Sequence, residues 1–338
     1  MQSENNLGPS NYFMGQDGFN WFVGVVEDRA DPEKAGRVRV RCLGYHTADT
    51  QKIPKDDLPW ASVMMPVTAG ANSGIGFSPH FLIEGTWVVG FFRDPAKQEP
   101  VIIGALPGKN TSKTTNFTIA ASSKLGGFSS PKDGGGFKDP NSKYPTALYV
   151  DKTDTNVLAQ ELISDHVSNS VKTSTDSWST ASGSAEQPAS TQSNAKYPTN
   201  HVFETESGHY VEFDDTAGNE RIHLFHKKGT FIEIDSSGDM IIKTVGNVTN
   251  IVAGNMDVYV KGNYSVSAGG NIDIYAGKNL TEKVDGNRKT TIKGTETIEV
   301  TLDVKQDYKL NLTTTITALG SITATGAMTV GGSSISFN

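Results

Sequence analysis

One cysteine, Cys42, occurs in 338 residues, so no disulfide can form within the chain and a disulfide-stapled scaffold is excluded. No apolar run approaches the ~18 residues a membrane-spanning helix needs. The opening "MQSENNLGPSN" lacks the apolar core of a signal peptide, which reads as a chain made in a cytoplasm and soluble there. Basic charge is in deficit: 30 Lys and Arg against 37 Asp and Glu leave a net charge of -7. A phosphate-binding face must be basic, so nucleic acid is not the expected partner. Catalytic signatures are missing too. No Gly-x-Ser-x-Gly elbow occurs. The Gly-rich "AGANSGIGFSPH" (69–80) lacks the Lys-Ser/Thr ending of a phosphate loop and reads as a plain connection. His223 and His226 stand three apart in a strand pattern, and His201 and His209 have no carboxylate at matching spacing. No metal site and no cofactor are expected.

Abundant glycine (35 residues), with much Thr, Ser and Asn, favours strands and turns, hence an all-β fold. After an N-terminal arm (1–18), residues 19–107 carry five strand candidates: "WFVGVVED", "GRVRVRCLG", "LPWASVMM", "GTWVVGFF" and "PVIIGAL". Short strands parted by Gly, Pro and Asp turns suggest a small barrel or sandwich, with "DPEKAGR" turning the first strand into the second. Val38, Val40 and Cys42 share one strand face, which makes Cys42 a buried thiol. Arg37, Arg39 and Arg41 share the other, read as a solvated or subunit-facing basic face.

Residues 108–199 are poor in apolar side chains: Leu, Ile, Val and Phe make up 13 of the 87 residues from Lys109 to Ala195. That is below the ~20% at which a packed core becomes doubtful, so the stretch reads as an extended polar linker draped over other surfaces. One short helix is expected at "DTNVLAQELISDH", capped by Asp154 or Thr155. Residues 200–237 form a β-rich transition whose strands are marked by Val211/Phe213, Ile222/Leu224 and Phe231/Ile232/Ile234.

From 238 to 338 the chain repeats every eight residues. Glycine opens 8 of 12 octads, including Gly238, Gly246, Gly254, Gly262, Gly270, Gly286 and Gly294, and Asn follows it in most. Positions three, five and seven are mainly apolar. Position seven carries no charge and includes Val252, Val260, Ala268, Ala276, Val284, Ile292, Val300 and Ile316. Period two within an octad makes a strand with one face to bury. Glycine permits positive φ at a corner. The glycines are therefore read as corners and the position-seven residues as the core of a β-solenoid. One octad cannot bury its own face, so stability must come from stacked neighbours. Two closures fit: three successive octads of one chain per layer, or one octad from each of three chains. At ~4.8 Å per layer, twelve octads give ~19 Å in the first case and ~58 Å in the second.

Three segments resemble the central spike, or cell-puncturing, proteins of contractile phage tails, to which the valine-glycine repeat spikes of type VI secretion are related. They are "WFVGVVEDRADPEKAGRVRVRCLGYH", "GTWVVGFFRDPAKQEPVIIGALPG" and "NHVFETESGHYVEFDDTAGNERIHLFHKKGTFIEIDSSGD". The resemblance implies an OB-fold barrel at the N-terminal end and a triple-stranded, intertwined, homotrimeric β-helix at the C-terminal end. It also implies a place in the virion tail baseplate, a hub protein bound through the OB-fold, and transient contact with a host outer membrane. Some members carry a lysozyme domain after the OB-fold. Here that place holds only 108–199, and a glycosidase needs two carboxylates across a cleft, whereas Glu161 and Asp165 would share one short helix. The chain is therefore expected to be a structural spike and not an enzyme; a peptidoglycan-degrading spike and a secretion or bacteriocin spike are the rival readings. The C-terminal "TVGGSSISFN" has no His-x-His pair for a metal-bound tip and would seat a separate tip protein.

Overall fold

The computed structural model describes residues 19–47, 49–107, 155–156, 158–160, 177–181, 183–186, 194–317 and 320–332. Its first strands are β1 (Asn20–Asp28), β2 (Val38–Cys42) and β3 (Trp60–Val63). A small hairpin, β4 (Gly70–Asn72) and β5 (Ile75–Gly76), comes next, then β6 (Trp87–Phe92) and β7 (Pro100–Ala105). Strands β1, β2, β3, β7 and β6 close in that order into a barrel, with β3 and β7 parallel and the other pairs antiparallel. All five strand candidates of the sequence are barrel strands. Phe22, Val26, Val40, Val88, Phe92 and Ile102 fill the interior. Gly90 is required there, because a Cβ at that position would strike the Val101 carbonyl and the Phe22 ring.

Cys42 is fully buried in this core, and burial alone pushes its thiol up to about 12. The thiolate is the reactive form, so Cys42 should not react with a thiol reagent at pH 8 in the native protein. One equivalent should react after denaturation, which a colorimetric thiol titration will read.

The arginine face is not the free basic surface expected. Arg41 is fully buried and clamps Glu27 at 2.5 and 2.9 Å while donating to the Thr47 and Ile53 carbonyls. Arg39 lies over the Trp60 ring and donates to Asp56, and Arg37 pairs with Asp31. The acids sit in the turn and the neighbouring elements, so the closed barrel neutralises the stripe within one chain.

Asp31 also organises the β1–β2 turn, accepting from the backbone amides of Glu33, Ala35 and Arg37. The Arg37 guanidinium above all, then those amides, hold its carboxyl well below the usual carboxylate range. A carboxyl lowered in the folded state stabilises it above the unfolded pKa of about 4, and loses that effect as pH falls through the folded value. Asp31→Asn should therefore melt lower than the parent at pH 7, with the gap closing as pH is lowered below 4 in a series of thermal melts.

In the stretch read as an extended linker, the described residues form a 3-10 turn at Leu158–Gln160 and a hairpin of β8 (Ser177–Thr180) and β9 (Gly183–Glu186). Asn156 accepts from the Leu158 amide at the start of this turn, and Asp154 lies outside the described residues. The rest of the expected helix, with Glu161 and Asp165, lies outside the described residues.

Strands β10 (Asn200–Glu204), β11 (Tyr210–Asp214), β12 (Arg221–Phe225), β13 (Phe231–Ile234) and β14 (Met240–Lys243) form an antiparallel meander in sequence order. Leu158 drops onto it and packs with Tyr210, Phe225 and Phe231. The sheet is tied to the barrel by Arg29, which donates twice to Glu206 at 2.7 and 2.8 Å and pairs with Glu84, and by the edge-on Phe81–Phe203 contact.

Candidate functional site

The octad stretch is the part of the chain with no counterpart in an ordinary folded domain. Bends recur at 245–246, 253–254, 261–262, 269–270, 277–278, 285–286, 293–294, 301–302 and 309–310, eight residues apart throughout. Segments of six residues with neither helix nor strand lie between them. Among the described residues from 246 to 332 no segment joins a strand ladder, and every residue is exposed. Backbone outside any ladder leaves its N–H and C=O groups without sheet partners, and here the apolar face is uncovered as well.

Five of the position-seven residues are less exposed than the apolar residues at positions three and five. Val252, Val260, Val284, Ile292 and Val300 are 43–49% exposed, whereas apolar residues at positions three and five, such as Ile272, Val248 and Ile322, range from 57 to 86%. Ile316 is 60% exposed, and Ala268 and Ala276 are also exposed. The corner glycines sit on the bends, but the reason given for them needs correction. Only Gly238 takes positive φ (82°); Gly246, Gly254, Gly262, Gly270, Gly286 and Gly294 do not. The bends at Thr301–Leu302 and Lys309–Leu310 form without glycine. A Cβ at any of the six would meet nothing of its own chain within 4 Å.

The five-stranded sheet at the root of this stretch buries charged groups beside the Tyr210, Phe225 and Phe231 cluster. Glu212, His223 and Glu233 are fully buried, while Phe213, Ile222, Leu224 and Ile232, on the opposite face, are 39–50% exposed. Arg221 donates to Glu212 at 2.6 Å and lies 3.7 Å from Glu233, with the His223 Nδ1 3.7 Å from Glu212 and 4.0 Å from Glu233. Asn200 donates to Glu212 as well. Burial pushes the Glu212 carboxyl up, but His223, Arg221 and Asn200 outweigh it and hold it below the usual range. The alternation of "YVEFD" and "RIHLF" marks strands plainly, yet it does not say which face turns inward. The apolar-outward face runs directly into the first octad, because β14 is its positions three to six. Of the other histidines, His226 lies against His209 with ring centroids 4.4 Å apart and the rings tilted. Among the described residues no group of three His, Cys, Asp or Glu could hold a metal ion.

A groove of about 510 Å³ opens between the barrel loop and the sheet, lined by His80, Phe81, Asn156, Phe203, Glu204 and Glu206. Its two carboxylates are both engaged. Glu204 accepts from Asn156, and Arg29 holds Glu206 below the usual carboxylate range. A glycosidase acid must be raised, not lowered, so Glu206 does not fit the acid of such a pair.

Two family models match the chain. One, described as the Gp5 N-terminal OB domain, spans residues 44–201; the other, described as the Gp5 C-terminal repeat in three copies, spans residues 278–307. Protein Gp5 of Vibrio phage KVP40 is 36% identical over 273 residues, covering 71% of this chain and 61% of that protein. The pre-baseplate central spike protein Gp5 of Enterobacteria phage T4 is 41% identical over 152 residues, covering 44% of this chain and 23% of that protein. The chain thus spans less than two thirds of the length of these relatives.

Proposed function

Since the chain belongs to the family of the phage Gp5 spike proteins, we propose that it is a structural central spike of a contractile-tail baseplate. Three copies would wind their octads into one prism that pierces the host envelope during tail contraction. The observation that carries this reading is the octad stretch itself, which has a periodic apolar face and, among the described residues from 246 on, no ladder with its own chain. Other copies of the chain are the natural cover. They supply matching strands at matching spacing, and closing the layers leaves no lateral edge. The corner glycines fit the same picture. Their own chain leaves the space beside them empty, so the missing side chains make room for a neighbouring strand.

In this reading the barrel and its attached sheet face a separate hub protein, and the far octads meet the outer membrane or a tip protein. The work is mechanical: each octad adds one layer of stiff needle, and no lytic centre is part of it. Electron microscopy of the purified protein should show a rod of about 58 Å for twelve layers at ~4.8 Å each. The same preparation should leave isolated cell walls intact. A stub near 19 Å would favour the single-chain solenoid, and clearing of the walls would favour a lytic spike.

A further inference from the structure

Of the positions three, five and seven in the twelve octads from Gly238, only three carry a charged side chain: Glu282, Arg288 and Glu296. Every other charge of the stretch lies at an even position or, for Lys278, at position one. The three fall in consecutive octads and alternate in sign. Within one chain Arg288 Nε reaches across a bend to Glu282 Oε1 at 3.3 Å, while Glu296 has no ion pair of its own among the described residues.

We propose that Glu282, Arg288 and Glu296 form an ionic band inside the three-chain prism that holds the three copies in register. The proposal rests on the trimeric reading above and names what aligns its subunits. In a prism with one octad per chain per layer, three guanidinium groups occupy one layer. Three Glu282 carboxylates occupy the layer before it and three Glu296 carboxylates the layer after it, each about 4.8 Å away.

Near-identical octads give the chains little else to count by. A chain displaced by one octad still sets apolar residues against apolar ones, the weakness of any repetitive strand register. Displacement is different at the band. It leaves the Arg288 layer one guanidinium short and carries one Glu296 out to the level of Val304. Buried ion pairs add little to stability compared with apolar residues of the same size, and breaking one is costly. Their best-attested use is to fix register, as a single buried polar residue does in a coiled coil.

The test uses the full-length chain. Arg288→Glu would place nine carboxylates (three per chain, three chains) in successive layers and should reduce the trimer fraction at least tenfold in sedimentation. Reversing the whole pattern with Glu282→Arg, Arg288→Glu and Glu296→Arg together should restore it. A single variant that assembles like the parent, or a reversed triple no better than the single, would overturn the ionic band.

Register is read separately with a spin label at Thr315→Cys in a Cys42→Ser background. The parent should give one inter-chain distance. Glu282→Leu, Arg288→Leu and Glu296→Leu together should stay trimeric and add a second population, and a single unchanged distance in that variant would overturn the register role. A monomeric parent would instead contradict the trimeric reading itself.

Discussion

Val260→Asp is expected to leave the protein monomeric while its barrel and root sheet fold as before. Val260 occupies position seven of its octad and is 43% exposed in the single chain, so an aspartate there meets water and costs the isolated subunit nothing. In the prism three such carboxylates would face one another around the axis. The effective penalty for burying an unpaired ion is several kcal/mol each, enough together to abolish assembly at any ordinary concentration. Tyr259→Asp is the matched control. Tyr259 is the neighbouring residue at an outward position, 90% exposed, and its substitution should leave the trimer intact. Light scattering separates the outcomes, and a Val260→Asp protein that still ran as a trimer would show that position seven does not face inward.

Arg41→Met is expected to destabilise the barrel by about 3–5 kcal/mol, the usual loss when one partner of a buried ion pair is removed. The stranded group is Glu27, only 6% exposed, and the Thr47 and Ile53 carbonyls lose their donor as well. For a domain of this size each kcal/mol is worth roughly 4–8 °C, so the barrel transition should fall by at least about 12 °C, followed by the fluorescence of Trp21, Trp60 and Trp87. Glu27→Met with Arg41→Met should recover much of the loss, because a buried pair replaced by apolar groups is close to neutral. A single variant that melts within a degree or two of the parent would mean that the pair does not hold the barrel.

Arg41 also shows where sequence reading stops. Strict alternation in "RVRVRC" places the valines and Cys42 on one face correctly, and the barrel core could be read from it. The fate of the arginines could not, because their partners come from elsewhere. Asp31 lies in the turn, Asp56 near β3, and Glu27 sits at the register shift between Val26 and Asp28 in the β1–β2 ladder. A bulge of that kind re-aims a side chain and leaves no sign in the period-two pattern.

The strands of the root sheet were legible for the same reason as those of the barrel, but the face that turns inward was not, since alternation is symmetric between faces. Leu158 was hidden in a segment whose composition argues against any core. The octad was the most legible feature, and all nine of the bend pairs named above fall on the boundary between position eight and position one. The backbone at its glycines was not legible, because only Gly238 of the seven takes positive φ.

The measurement that bears most directly on this account is the mass of the unaltered protein in solution. Among the described residues from 246 on, the octads have an apolar face and no ladder of their own, so the prediction is a particle of three times 36.2 kDa that persists on dilution to nanomolar concentration. A stable particle of 36.2 kDa with its octads protected from amide exchange would contradict it, because a single chain would then be closing its own layers.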